Sequence, residues 1–226
     1  MKVIVIVAAR NESDAIEATL GSLRRSLPGA ELWVADDAST DATAELARAM
    51  GARVVSGSRH AGKGKAMTAA VGEALSEAGE GVYLLCDGDL GESAGELGAL
   101  VEAVRDGRAE LVVGAFRERR GGGFGIARGF GRWAIGRSCG LQLEAPLSGQ
   151  RALGGELLGR VMPFAGGYGM ELGMTIDAAR TGARVAELEL PLMHRVSRRT
   201  PAGFAHRGRQ LFDLVRAWAP RVGRGA

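Results

Sequence analysis

Val82-Tyr83-Leu84-Leu85-Cys86-Asp87-Gly88-Asp89-Leu90 runs from five apolar or near-apolar residues straight into two carboxylates separated by one glycine. An unbroken apolar run of this kind fits a strand buried on both faces, as in a parallel sheet covered by helices. Ligands of open α/β sheets bind beyond the carboxyl ends of the strands, and Asp87 and Asp89 fall at that edge. Two aspartates so close together repel each other unless a proton or a cation lies between them. Glycine at position 88 leaves no side chain in the way and permits a tight turn. One reading is a site for a hard divalent cation, Mg²⁺ or Mn²⁺, which takes carboxylate oxygens and shares them with phosphates. The other is a solvated turn, since Asp and Gly are ordinary turn residues.

Upstream of this stretch, strand and helix patterns alternate. Residues 2–9 form a β-branched run that reads as a first, central strand. Ser13 is placed to cap a helix that runs to Leu27, before Pro28-Gly29 stops it. Residues 31–35 read as a second strand, closed by Asp36-Asp37-Ala38-Ser39-Thr40-Asp41, where Thr40 or Asp41 can cap a helix to Met50. A short strand at 53–56, a glycine-rich turn and a helix at 65–78 complete the βαβ pattern of a parallel sheet with helices on both faces. Downstream come a helix at 92–105 and a strand at 110–114, and then an arginine- and glycine-rich segment over 117–140 that contains Phe124, Phe130 and Trp133. A turn and strand follow at 144–153, a helix at 171–181, a strand at 184–192 and a basic amphipathic helix at 203–218. The expected fold is a single α/β domain spanning 1–226, with a mostly parallel central sheet.

At 226 residues the chain can bury about 70% of its unfolded surface in one large domain. It is 46% hydrophobic and 24% charged with a net charge of +3, a mildly basic balance that suits anionic ligands better than nucleic acid. Of the two cysteines, Cys86 lies in the buried strand, which points away from a disulfide framework and toward a reducing compartment. The apolar run at 3–9 is too short for a signal segment or a membrane span, so the expected location is the cytoplasm.

Gly57-Ser58-Arg59-His60-Ala61-Gly62-Lys63-Gly64 spells GxxxxGK, but the Ser or Thr that holds Mg²⁺ in a phosphate-binding loop is replaced by Gly64. What remains is a set of backbone N–H groups with Lys63 and Lys65 at a helix N-terminus, suited to an anion. Gly121-Gly122-Gly123-Phe124-Gly125 has no strand feeding into it and reads as a lid rather than a dinucleotide fingerprint. Asp36 and Asp37 end one strand and Asp87 and Asp89 another, so both pairs are expected to face one crevice. His60 and His206 read as structural.

Taken in order, Val7-Ala8-Ala9-Arg10-Asn11-Glu12, Asp36 to Asp41, Gly62-Lys63-Gly64, Asp87-Gly88-Asp89 and Ser148-Gly149-Gln150-Arg151 resemble family 2 glycosyltransferases over residues 3 to about 195. Three positions depart from the family pattern: Ala8 stands for its proline, Arg10 for its aromatic residue, and Ala38 for the commoner glycine after the paired aspartates. The resemblance implies a GT-A fold, with 1–115 binding the nucleotide sugar and 116–226 the acceptor. It also implies that Ala8, Arg10, Glu12, Asp36, Asp37, Lys63, Asp87 and Gly88 contact the donor, a UDP- or GDP-linked sugar. Asp87 and Asp89 would hold Mg²⁺ or Mn²⁺, with His194 as a third ligand, as in similar phosphoglycerate glycosyltransferases. Asp89 and Glu171 would serve catalysis, Glu171 as the base that deprotonates an acceptor hydroxyl. Ser148, Gly149, Gln150, Arg151 and Tyr168 would meet the acceptor.

The acceptor itself is either a small molecule or a lipid phosphate. Arginines 117, 119, 120, 128, 132 and 137, and 198, 199, 207 and 209 near Phe204, Phe212 and Trp218, either lie on anionic lipid at the inner membrane face or are simply solvated. The exposed aromatic helix at the end of the chain would also suit a homodimer. A nucleotidyltransferase would want a glycine-rich loop after the first strand, which Arg10-Asn11-Glu12-Ser13 does not supply. A non-catalytic nucleotide-sugar binder is the remaining alternative, and the intact aspartates argue against it.

Overall fold

β1 (Val3–Ala9) sends Val3, Val5, Val7 and Ala9 to one face of the central sheet, and Ile4 and Ile6 to the other. This is the period-two geometry of a strand with helices on both sides. The computed structural model describes residues 1–117, 125–193 and 202–222, with side chains in the last segment at 208 and 210–222. Against the first face pack α1 (Ile16–Ser26), α2 (Thr43–Ala49) and α4 (Gly98–Arg105), through Leu20 and Leu23, Ala47, and Leu100 and Val101. Against the second pack α3 (Lys63–Ala78), α6 (Gly155–Arg160) and α7 (Met170–Arg180), through Met67 and Val71, Leu158, and Met174.

Besides β1, the sheet among the described residues contains β2 (Glu31–Asp36), β3 (Arg53–Ser56), β4 (Val82–Asp87), β5 (Leu111–Phe116), β6 (Arg151–Gly154) and β7 (Val185–Leu190), in the order β3-β2-β1-β4-β6-β5-β7. β1 pairs in parallel with both β2 and β4, and Ala8 lies level with Ala35 on one side and Asp87 on the other. The carboxyl ends of these three strands therefore share one edge. β6 runs antiparallel to β4 and β5, so its amino end reaches the same edge. Val82 to Cys86 are buried, as expected for a strand covered on both faces.

A third cluster forms where α5 (Gly125–Cys139), α7 and α8 (Ala202–Trp218) meet, through Ala134 and Ile135, Leu172 and Ile176, and Leu214. Three local expectations change. Ser13 does not cap α1: its N–H donates to Asp41, and the Glu12 carbonyl receives the first N–H groups of the helix instead. Asp41 does sit at the start of α2, accepting the Thr43 N–H at 3.0 Å. The helix expected over 92–105 begins as a 3-10 segment, Gly91–Leu97, whose start is hydrogen-bonded to Ser22 and Thr19 of α1. Cys86 and Cys139 are free thiols, and burial pushes the Cys86 thiol well above its ordinary pKa. Among the described residues no helix is long and apolar enough to cross a membrane.

Candidate active site

A cleft of about 430 Å³ opens at the shared carboxyl edge of β1, β2 and β4. β1 and its following loop contribute Ala8, Ala9, Arg10 and Glu12; β2 and its following loop contribute Ala35 and Asp37; the turn after β4 contributes Gly88 and Asp89 beside Asp87. His60, Gly62 and Lys63 border it from the start of α3, and Gly167, Tyr168 and Asp213 from the second half of the chain.

The loop after β1 is stitched to the loop after β2. Asn11 donates its N–H to Ser39 and accepts from the Thr40 N–H at 2.8 Å, while the Glu12 N–H donates to Thr43 Oγ1 at 2.8 Å. Both loops turn through the left-handed region, with φ of 56° at Asn11 and 55° at Ala38. Asn tolerates that region; alanine adopts it at a cost. Asp37 accepts the N–H groups of Ala61 at 2.7 Å and Gly62 at 2.9 Å, and its carboxylate lies 2.6 Å from His60 Nδ1. The backbone amides before α3, which the sequence offers to a free anion, are thus taken by a protein carboxylate.

Asp87 is held from three sides. Its N–H donates to Gln150 Oε1 at 3.1 Å, and its Oδ2 accepts from Gln150 Nε2 at 2.7 Å. Only one orientation of the Gln150 amide satisfies both contacts. The Lys63 ammonium sits 2.5 Å from Asp87 Oδ1 and 2.9 Å from Glu171 Oε1, bridging the two acids. Burial by itself would lower the Lys63 pKa, but the two carboxylates outweigh it and hold the ammonium above its ordinary value. Gly88 and Gly149 sit where the chain approaches closely. A Cβ at 88 would lie 3.1 Å from the Ala8 carbonyl, and one at 149 would lie 2.6 Å from both Asp87 Oδ2 and Lys63 Nζ.

Several assignments change in three dimensions. Asp36 does not line the cleft: it is buried, and it accepts the Ser39 N–H at 3.1 Å. Ser148, Gln150 and Arg151 are buried too, and none lines the cleft. Ser148 Oγ donates to the Gly114 carbonyl. Arg151 donates to the Ser148 and Pro146 carbonyls and to Thr175 Oγ1, and its burial, partly offset by Glu171 and Glu187, pulls its pKa down to about 10. These residues brace the turn that seats Gly149 against Asp87. Glu171 is buried against Lys63 and does not line the cleft, so its carboxylate serves the ion pair in this arrangement.

Tyr168, by contrast, does border the cleft. His60, a structural residue by sequence alone, also lines the cleft beside Asp37; its place within the Gly57–Gly64 motif is the available signal. Asp213 carries no local signal in the sequence, and only the docking of α8 brings it to the cleft. His194, arginines 119, 120, 198 and 199, and the glycine run at 121–124 lie outside the described residues, as do the side chains of Phe204, His206, Arg207 and Arg209.

Among the described residues no group of three His, Cys, Asp or Glu side chains converges as a ready metal cage. The fit to a divalent cation rests instead on Asp87 and Asp89, hard oxygen donors on one turn in the cleft. Mg²⁺ is commonly held by one or two carboxylates, with substrate phosphates and water filling the other positions. The Lys63 ammonium beside Asp87 shows that this corner already stabilises positive charge.

A mostly parallel sheet with an acidic Asp-Gly-Asp turn at its carboxyl edge defines the GT-A class of α/β domain. The sequence profile of Glycosyl transferase family 2 matches residues 4–164. The chain is similar to undecaprenyl-phosphate mannosyltransferase from Micrococcus luteus, 31% identical over 209 residues that cover 86% of this chain and 85% of that one. Among solved structures it is similar to glucosyl-3-phosphoglycerate synthase from Mycobacterium tuberculosis. The complex with Mg²⁺ and uridine diphosphate gives a TM-score of 0.77 at 30% identity, covering 96% of this chain and 79% of that one. The complex with Mn²⁺, UDP-glucose and phosphoglyceric acid gives 0.73 at 28% identity, covering 96% and 80%. The chain belongs to glycosyl transferase family 2 and is a glycosyltransferase.

Proposed function

We propose that the enzyme moves a hexose from a UDP- or GDP-linked sugar to an acceptor hydroxyl or phosphate, with Mg²⁺ or Mn²⁺ held by Asp87 and Asp89. The observation that carries this reading is the Asp87-Gly88-Asp89 turn in the cleft, with Gln150 and Lys63 fixing the first carboxylate. The relatives solved with Mn²⁺ or Mg²⁺ and a uridine nucleotide support it. The bound cation would offset the charge that develops on the departing diphosphate. The rest of the task falls to the protein. Ala8, Arg10, Glu12 and Asp37 receive the nucleoside end of the donor, and Lys63 adds positive charge beside Asp87. Tyr168 and Asp213, from the 116–226 half, are assigned to the acceptor side, leaving the 1–115 half to the donor.

Within this reading a polyprenyl phosphate is the favoured acceptor. The Micrococcus luteus relative supports it, and so does the position of Glu171, whose carboxylate is tied to Lys63. A phosphate monoester is largely ionised at neutral pH, with a second pKa near about 6, and needs no general base. Its oxygen attacks the anomeric carbon as the bond to the diphosphate oxygen breaks.

Thermal-shift titrations with UDP, GDP and ADP, each with Mn²⁺ and with EDTA, test the donor site. The expected result is a Mn²⁺-dependent shift for UDP or GDP that is lost in Asp89→Ala. A shift that survives EDTA, or one confined to ADP, overturns the reading. Transfer of labelled hexose to polyprenyl phosphate, compared with phosphoglycerate, then distinguishes the acceptors.

A further inference from the structure

Two helices far apart in sequence expose large apolar side chains on adjoining surfaces. On α5, Ile126 is 79% and Trp133 53% exposed, and their spacing of seven residues puts them on one stripe. On α8, Phe212 is 63% and Val215 40% exposed, one turn apart, and Val222 beyond the helix end is exposed as well. The stripes are joined by aromatic contacts: Trp133 lies 4.9 Å from Trp218 with the rings tilted, and Phe130 lies 5.9 Å from Trp218 edge-on, centroid to centroid. Soluble chains rarely leave large apolar side chains grouped in this way without a partner.

The charge around the patch indicates the partner. α5 carries Arg128, Arg132 and Arg137 and no acidic residue, with Arg132 paired to Glu144 at 2.9 Å, and Arg216 projects to solvent next to Val215. The one acidic side chain described on α8, Asp213, is turned to the Tyr168 N–H and the cleft. Apolar and tryptophan side chains rimmed by arginines match a bilayer interface, where the rings enter the acyl boundary and the guanidinium groups meet phosphate headgroups. A second copy of this chain fits less well, since a two-fold contact would set the arginine-rich surface against itself.

We propose that the outer faces of α5 and α8 form a docking surface for an anionic lipid bilayer. The proposal rests on this surface alone and holds whichever acceptor the enzyme uses.

The test is flotation of the full chain with vesicles of phosphatidylglycerol and phosphatidylcholine, with phosphatidylcholine alone for comparison, and no polyprenyl phosphate in either. The expected result is binding to the anionic vesicles that weakens with salt, with a blue shift in tryptophan emission. Phe212→Ser/Val215→Ser should lower partitioning about tenfold or more at an unchanged melting temperature. Arg137→Glu/Arg216→Glu should abolish the preference for anionic lipid. Absence of flotation, equal binding of the Phe212/Val215 variant, or equal binding to neutral vesicles overturns the proposal. A lipid-free dimer in sedimentation velocity that the Phe212/Val215 substitutions dissociate also overturns it, in favour of self-association.

Discussion

Gln150 commits both ends of its side-chain amide to Asp87, one to the backbone N–H and one to a carboxylate oxygen, and is itself almost fully buried. Leucine has a similar volume and can make neither contact. Gln150→Leu should therefore cost about 1–3 kcal/mol of stability in denaturant melts, because it removes hydrogen bonds to both the backbone and the charged carboxylate of Asp87. Its Mn²⁺-dependent shift with UDP should fall as well, since Asp87 loses the contacts that hold its rotamer. A variant that keeps the full Mn²⁺-dependent shift would show that the amide does not orient Asp87. Ala38 is a smaller case of the same logic. It occupies the left-handed region at φ 55°, where the family more often has glycine. Ala38→Gly should relieve that strain and raise stability by up to about 1 kcal/mol, less the added entropy of the unfolded chain. A loss of stability in urea melts would show that Ala38 holds this conformation without strain.

Among the elements, β6 has the largest consequence for the site. It enters between β4 and β5 in the opposite direction and delivers Gly149 and Gln150 to the edge where Asp87 ends. The preceding turn is anchored by Glu187 of β7, which accepts the N–H groups of Glu144 and Ala145 at 2.6 Å each. β7 is itself registered on β5, and next to that pairing Arg184 holds Glu110. Hydrogen bonds from Arg184 bring the Glu110 carboxyl down to about 2. A depressed carboxyl pKa stabilises the fold above its unfolded value of 4.5, and that contribution fades as pH falls toward 2. Glu110→Gln should accordingly melt slightly below the parent at pH 7 and level with it at the acid end of the range. The gap will be small because both side chains are exposed and screened. A gap that widens on acidification would contradict this assignment.

At the scale of the whole molecule, the cleft draws on both halves of the chain: three strand ends from the first, and the Gly167–Gly169 turn with α8 from the second. A nucleotide bound there stabilises everything that must stay folded to hold it. At a hundred times its dissociation constant it should add about 2.7 kcal/mol to one cooperative transition. Much of this was legible in the sequence. The alternation of apolar strands with amphipathic helices determined the α/β class, and the placement of Asp37, Asp87 and Asp89 at strand ends determined where the cleft opens. The Asp-Gly-Asp turn was also legible, because a strand that ends in carboxylates flanking a glycine is a local signature, although the approach of Gly88 to Ala8 was not. The role of Gln150, the burial of Asp36 and Arg151, the ion pair of Glu171 with Lys63, and the arrival of Asp213 were decided only by the tertiary structure. Each depends on which strand lies beside which, and on the direction a side chain takes at its end. Those are properties of packing between distant segments, and no stretch of sequence carries them alone.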